Sequence, residues 1–441
     1  MFNYYLGLAL RSLRRNVVLT VLMIAAIGVG IGASMTMLTV FRAMGDDPIP
    51  NKSRQLFAVQ IQNWEPRRGG SGGAGGSPDN LQEQISYTDA MAFMNMRAAR
   101  RQTAMYATGA ALTPSNPDLR PFQVHTRAAF ADFFPMFSVP FLYGAPWTAA
   151  DDEGRSDVVV IARDLNDKVF AGANPVGKTI NLDGRDFRVV GVIDRWEPIP
   201  KFYDLNNDMY GKAEQAFVPF NRAIESQMAS WGNNNCRGDV GAGWDGHLHS
   251  ECVWFQFWVE LPTAADAEHY RMVLNNYAAE QQRSGRFHWP PNTKLHDVRE
   301  WLNYQHVVSN EVRILVVVSF SFLLVCLLNA MGLMLAKIMG RAGDIGVRRA
   351  LGANRGAIFS QCLIEAAVIG FAGGLLGLAL TMLGLVGLRS LLSEEVTRLT
   401  HFSLADVAIA VSISVIATIL AGLYPTWRAA QVQPAWQLKA Q

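Results

Sequence analysis

Four apolar runs stand out along the chain: Asn16–Phe41, Ile314–Ala336, Gly356–Leu388 and Val407–Leu423. A long stretch of mixed polarity separates the first two. At about 1.5 Å of rise per residue, a helix over the first run exceeds the ~30 Å hydrocarbon core of a bilayer. That run is too long for the apolar core of a signal peptide and ends in no small-residue cleavage site, so a retained anchor is expected. Arg11, Arg14 and Arg15 precede it, which places the N-terminus in the cytoplasm by the positive-inside rule. Arg341, Arg348, Arg349 and Arg355 follow the second run, and Arg428 and Lys439 follow the fourth, in agreement with four spans and both termini inside.

The polar stretch carries shorter periods. Asp157–Ile161 (DVVVI) reads as a buried strand and Cys252–Leu261 as another. Thr179–Ile193 alternates on either side of Asp183-Gly184, the pattern of a β-hairpin. Tyr87–Arg101 reads as an amphipathic helix and Asp164–Phe170 as a short one. Val298, Leu302 and Val308 have helical spacing, which predicts one helix from Asp297 running unbroken through Ala336. Glycine-rich Arg67–Asn80 reads as a flexible loop.

The fold class is therefore an α-helical membrane protein with four transmembrane helices and a large mixed α/β periplasmic domain inserted between helices 1 and 2. The expected divisions are 1-43 (cytoplasmic N-terminus and helix 1), 44-311 (external domain, two subdomains) and 312-339 (helix 2). Then follow 340-356 (cytoplasmic loop), 357-391 (helix 3), 392-404 (short external turn) and 405-441 (helix 4 and tail). Composition agrees: of 441 residues half are apolar and 17% charged, and a net charge of +2 gives no reason to expect a nucleic-acid partner.

Three features bear on chemistry. Gly172–Thr179 (GANPVGKT) matches the GxxxxGK[ST] phosphate-loop pattern. A phosphate loop follows a strand and opens a helix, whereas here a short helix precedes and an alternating strand follows, so the match is rejected. Cys236 and Cys252 enclose a short polar loop on the external side, where a disulfide is expected; a metal site using a cysteine with His247 and His249 is the alternative. Arg237-Gly238-Asp239 is read as chance in a polar loop. No nucleophile–base pair or paired carboxylates stand out, so neither an enzyme nor a cofactor of its own is expected.

Within the membrane segments, Gly28 and Gly32 form a small-xxx-small pair, and Gly370, Gly373, Gly374 and Gly377 form two overlapping GxxxG pairs suited to close helix packing. Glu365 lies two to three turns into the third run, facing that helix's positive end and Arg348 or Arg349. It is either a tether between loop and bundle or a proton-coupling acid. The aromatics Trp231, Trp244, Trp254, Phe255, Phe257 and Trp258 form either core or a ligand surface. Between the second and third runs, Asp344 can cap a short helix that Gly352 ends. Ile345, Val347 and Leu351 offer apolar contacts there, and Arg348 and Arg349 offer charge. Such a helix either docks a partner or is a loop that only sets topology.

Asp344–Ala353 (DIGVRRALGA), with Glu365 and Gly370–Gly377, resembles the signature loop of FtsX-type ABC-transporter permeases. The tail resembles theirs in Tyr424-Pro425, Arg428-Ala429-Ala430, Pro434-Ala435 and Leu438, while Trp436 stands where an acid is usual. Asn174–Ile180, Val189–Val192 and Phe130–Asp151 resemble the MacB-type periplasmic core domain; Asp204–Ser250 matches no familiar pattern. The resemblance implies a permease subunit of the bacterial inner membrane, working as a homodimer or paralogous heterodimer among membrane lipid. The macrolide exporter that names the group has a fused ATPase domain; here a separate ATPase subunit that binds ATP and Mg is expected. It would dock on the loop helix through Arg348 and Arg349 and drive efflux by mechanotransmission, with a periplasmic adaptor and outer-membrane channel as further partners. Lipoprotein release and division-type activation of a hydrolase are the alternatives within the family.

Overall fold

The computed structural model describes residues 7, 11, 13, 15–64, 81–116, 118–236, 240–352, 354–391 and 404–430. The glycine-rich loop, Arg237–Asp239, the turn 392–403 and the tail from 431 lie outside these. The chain divides into two compact units, Asp46–Val307 and the flanking segments Met1–Gly45 with Val308–Gln441.

The Asp46–Val307 unit is built on one sheet. Its strands in chain order are β1 (Leu56–Ile61), β2 (Ile85–Ser86), β3 (Arg101–Thr113), β4 (Phe122–Ala129), β5 (Phe141–Gly144) and β6 (Val158–Ala162). They continue with β7 (Thr179–Leu182), β8 (Arg185–Ile193), β9 (Ala216–Pro219), β10 (Val253–Glu260) and β11 (Thr293–Asp297). The spatial order is β11-β1-β10-β3-β4-β9-β6-β8-β5, with β2 beside β10 and β7 against β3 and β8. β4 pairs with β9, and β6 with β8, in parallel; the other pairs are antiparallel. One sheet thus runs through the residues for which two subdomains were expected.

Both faces of the sheet are covered. Phe57, Val59 and Ile61 enter one apolar cluster while Leu56 and Ala58 enter the other. β6 divides in the same way, Val159 and Ile161 against Val158 and Val160. This is why the strand Val158–Ala162 (VVVIA) is uninterruptedly apolar: a strand buried on two faces has no polar side. The aromatics of β10 are core, with Trp254, Phe255 and Phe257 on one face and Trp258 on the other. Trp231 departs from that pattern. It is 55% exposed and stacks on His125 with ring centroids 4.1 Å apart.

The β7–β8 hairpin turns at Asp183 (φ 50°) and Gly184 (φ 81°). Positive φ at both central residues gives the primed turn whose twist suits paired strands. The Asn181 side chain accepts the Gly184 N–H at 3.0 Å. The rejected phosphate-loop match ends on this hairpin. Its Gly177 has φ 86°, the Lys178 N–H donates to the Pro175 carbonyl at 2.9 Å, and Thr179 begins β7 rather than a helix.

Two predicted helices need correction. The helix expected over Tyr87–Arg101 spans Tyr87–Met96; Arg97 takes a left-handed conformation and Arg101 already starts β3. The unbroken helix expected from Asp297 is two helices, Val298–Tyr304 and Asn310–Met339. Each has its own N-cap, Asp297 and Ser309, and Ser309 sits at ψ 155°, extended rather than helical. His306 at φ 49° completes the break. The apolar spacing of Val298, Leu302 and Val308 runs through the break and so conceals it.

Among the described residues of the other unit, four helices are long and apolar enough to cross a membrane: Val17–Gly45, Asn310–Met339, Arg355–Leu391 and Leu404–Ala430. Glycines bring them close. A Cβ on Gly373 would lie 2.7 Å from Ile27, and one on Gly377 2.6 Å from Ile31. In return, Gly28 and Gly32 of the first helix receive Leu376 and Leu380, each 2.8 Å from where a Cβ would stand. Gly370 and Gly374 face the fourth helix instead, against Thr418 at 2.8 Å and Ser414 at 3.0 Å. The two overlapping GxxxG pairs therefore serve two neighbours. The Ser414 hydroxyl donates to the Gly370 carbonyl at 2.7 Å, a bond that this close approach allows.

Candidate functional site

The second apolar helix ends at Met339, and after Gly340 and Arg341 the chain starts a new helix, Ala342–Ala350. Asp344 lies inside that helix, so the expected capping role at its start falls to the turn instead. The Ile345 N–H donates to the Arg341 carbonyl at 3.1 Å. The far end closes as expected in form: the Leu351 N–H reaches the Val347 carbonyl at 3.0 Å, and Gly352 sits at φ 100°. Asn354 then caps the third apolar helix, its side chain accepting the Ala357 N–H at 2.7 Å.

The faces of this short helix differ. Ile345 is half-buried against the apolar helices, whereas Val347 is 55% and Leu351 83% exposed. Val347 and Leu351 are four residues apart and so lie on one face. Arg348 is exposed and donates to the Gln361 side chain at 3.2 Å. The side chains of Asp344 and Arg349 lie outside the described residues.

Beneath the short helix is a cleft. Lys337 and Arg341 line it from the second apolar helix and its end, Gln361 and Glu365 from the third, together with Arg15 and Arg348. Each set is spaced by four, one face of a helix turned toward the other. The side chain of Arg349 lies outside the described residues, and Glu365 is not met by Arg348, which donates to Gln361. Glu365 forms a buried ion pair with Lys337, and Arg341 lies 3.7 Å from its other oxygen. Lys337 was missed because it stands one residue beyond an uncharged run. Its spacing from Arg341, and Glu365's place near the start of the next apolar run, were the available signals.

The Asp46–Val307 unit holds its own buried ions. Arg127 on β4 is fully enclosed; its Nε donates to Glu214 at 2.9 Å and one Nη to Asp204. Lys201 reaches Glu214 at 2.7 Å, and the Tyr203 hydroxyl donates to Glu214 at 2.9 Å. Burial raises the Glu214 pKa, but Arg127 and Lys201 outweigh it and hold the carboxyl well below its ordinary range. With both carboxylates locked on a guanidinium away from solvent, the cluster can fix structure but offers no accessible acid or base. It also gives part of the unplaced Asp204–Ser250 region a role. In that region Cys236 and Cys252 are joined by a disulfide, with His247 alongside at hydrogen-bond distance (2.9 Å) from Asn234. The disulfide occupies both sulfurs, and His249 faces Asp245 instead.

Two family profiles match. The one described as MacB-like periplasmic core domain covers residues 20–277, and the one described as FtsX-like permease C-terminal covers residues 316–434. The chain belongs to the MacB/FtsX-type permeases. It is 26% identical over 311 residues to the pyoverdine export ATP-binding/permease protein PvdT of Pseudomonas aeruginosa, covering 70% of this chain and 41% of that one. It is 24% identical to the macrolide export ATP-binding/permease protein MacB of Syntrophobacter fumaroxidans, covering 99% of this chain and 64% of that one. The chain thus spans less than two thirds of these relatives' length. The periplasmic region of MacB from Actinobacillus actinomycetemcomitans aligns over 60% of this chain and 98% of its own, with 13% identity and a TM-score of 0.36. The two profiles together account for most of the chain, the first over much of the Asp46–Val307 unit and the second over the last three apolar helices.

Proposed function

We propose that this permease is driven by an ABC ATPase docking on the helix Ala342–Ala350, and that it exports a periplasmic substrate by transmitting motion to the Asp46–Val307 unit. The carrying observation is the exposed pair Val347 and Leu351 with Arg348 adjacent, on a short helix anchored inward by Ile345. An apolar ridge flanked by an arginine suits a protein groove; a loop that only set topology would need the charge but not the ridge. ATP and Mg belong to the ATPase, which the relatives named above carry within a longer chain. Asp344, Arg349 and Gly352 complete the docking helix, and Glu365 tethers it to the bundle.

In this reading the permease sits in the bacterial inner membrane with both termini in the cytoplasm and the large unit in the periplasm. It works as a dimer, with itself or a paralogue, and hands substrate to a periplasmic adaptor and outer-membrane channel. Motion passes through the turn 305–309 rather than along one rigid helix, because the second apolar helix begins only at Asn310.

The test is co-purification from the native host of the detergent-solubilised chain, wild type against Arg348→Glu/Arg349→Glu and Val347→Asp/Leu351→Asp. An ATPase that accompanies the wild type and is lost from both variants is the expected result. An ATPase that binds all three alike would remove this helix from the coupling.

A further inference from the structure

Among the described residues, one group of three potential metal ligands comes together. The sulfurs of Cys236 and Cys252 and a ring nitrogen of His247 all lie within 4.8 Å of one another. Backbone bonds set the two cysteines side by side. Asn235 and Val253 exchange N–H to carbonyl bonds of 3.1 and 2.8 Å, as an antiparallel bridge. Cys236 and Cys252 are the next pair along that bridge, the kind whose side chains lie closest, and their Cα atoms stand 4.0 Å apart. This placement comes from the bridge and does not depend on the sulfur–sulfur bond. His247 is held separately. Its carbonyl accepts from the Ser250 hydroxyl at 2.6 Å, and its ring tilts over Trp254 with centroids 5.6 Å apart. Its Nε2 lies 2.9 Å from the Asn234 amide nitrogen. A disulfide needs no imidazole beside it; two thiolates and an imidazole are a zinc donor set.

We propose that reducing this disulfide opens a site for one Zn2+, bound by the thiolates of Cys236 and Cys252 and the imidazole of His247, with water in the fourth position. A dithiol reductant supplies two electrons and two protons, becoming a disulfide itself and leaving two thiols on the chain. Zinc then displaces both thiol protons. Zn–S bonds of about 2.3 Å set tetrahedral sulfurs about 3.8 Å apart, a separation that side-chain rotation supplies. Thiolates with one imidazole favour zinc or monovalent copper over magnesium and calcium. Cys236 is exposed and Cys252 buried, so an ion enters from the Cys236 side and can keep there the water that zinc takes as its fourth ligand. The bound ion would close the Cys236–Cys252 loop in place of the disulfide, so the loop would stay closed in either redox state.

The test uses the full chain in detergent, with no ATPase present, so its outcome is separate from that of the coupling test. The disulfide is reduced by a water-soluble phosphine, which is then removed under inert gas. Zn2+ is titrated against a chromophoric chelator, and Co2+ is bound in parallel to read thiolate-to-cobalt charge transfer. We expect one Zn2+ per reduced chain, none on the oxidised chain, and a charge-transfer band with Co2+. His247→Ala keeps both cysteines and should weaken binding by about 100-fold or more, since even the partners behind metal ligands are worth about 10–100-fold. His249→Ala, whose ring faces Asp245 at 3.5 Å, should bind as wild type does. Cys236→Ser/Cys252→Ser, which retains Cys326 and Cys362, should not bind. No zinc on the reduced chain, wild-type affinity in His247→Ala, or equal binding by the oxidised chain overturns the proposal. Retention of Cu+ without Zn2+ also overturns it, in favour of a copper site.

Discussion

Lys337 and Glu365 meet as a buried ion pair between the second and third apolar helices, their side chains only 2% and 7% exposed. Lys337 also donates to the Thr20 hydroxyl of the first helix at 3.4 Å. Lys337 thus links three helices, one by the salt bridge and one by the hydrogen bond. Removing Glu365 leaves the buried Lys337 without its carboxylate, at a cost of about 3–5 kcal/mol, whereas removing Lys337 leaves Glu365 with Arg341, and replacing both with apolar residues is often neutral. Glu365→Gln should lower stability by several kcal/mol and Lys337→Met by less, since Arg341 remains beside Glu365, and Lys337→Met/Glu365→Leu should recover most of the larger loss. Denaturant titration of the full chain in mixed micelles would show it. A double variant as unstable as the sum of the singles would mean that the two charges do not compensate each other.

The glycine contacts make a sharp pair of expectations. Gly377→Ala would push a methyl to 2.6 Å from Ile31, on a helix packed against it, and should cost about 1–3 kcal/mol. Gly332→Ala meets nothing within 4 Å, so helix propensity alone should apply, a gain of up to about 1 kcal/mol. Thermal stability of the two variants in detergent should move in opposite directions.

Arg127 anchors the ion cluster of the Asp46–Val307 unit. Arg127→Met leaves Asp204 and Glu214 buried with Lys201 as the main remaining cation, and should destabilise this unit by about 3–5 kcal/mol. Hydrogen exchange on the full chain should report faster opening of β4 and β9, with the apolar helices unaffected. Unchanged protection would mean that the neighbouring side chains absorb the loss.

Asp152 supplies a pH signature. Burial, reinforced by Asp132 and Asp151 nearby, pushes its carboxyl up to about 7 despite bonds from the Ala131 N–H and the Trp147 Nε1–H, each 2.8 Å. The folded state therefore holds a proton that the unfolded chain releases near its ordinary value of 3.8. Stability from this group is greatest below about pH 4, falls as pH rises toward 7 and levels off above. Asp152→Asn cannot ionise, so its deficit against wild type should be larger at pH 5 than at pH 8. Unfolding midpoints at the two values decide this; a constant gap would mean that Asp152 titrates normally in the fold.

Much of the architecture was legible along the chain because its causes are local. Four apolar runs mark helices fit for a membrane by composition alone. DVVVI marks a strand with no polar face, and Asp183-Gly184 marks a turn needing positive φ twice. The loop helix was visible in its motif, although its start lay two residues before the residue expected to cap it. The break at 305–309 was not visible, since apolar spacing continues through it and the Ser309 cap is a single common residue.

What the sequence by itself determined is therefore the four apolar helices, two buried strands, one hairpin and the family to which the chain belongs, because these follow from periodicity, short-range conformational preference and motif. The tertiary structure alone decided the partners. Gly370 and Gly374 turn to the fourth helix while Gly373 and Gly377 turn to the first, a choice set by which side of one helix meets which neighbour. Arg127 finds Asp204 and Glu214 across 77 and 87 residues of chain, and Glu365 takes Lys337 rather than Arg348. Charge buried away from water must be matched by whatever charge packing brings within reach, and no local pattern in the chain records that distance.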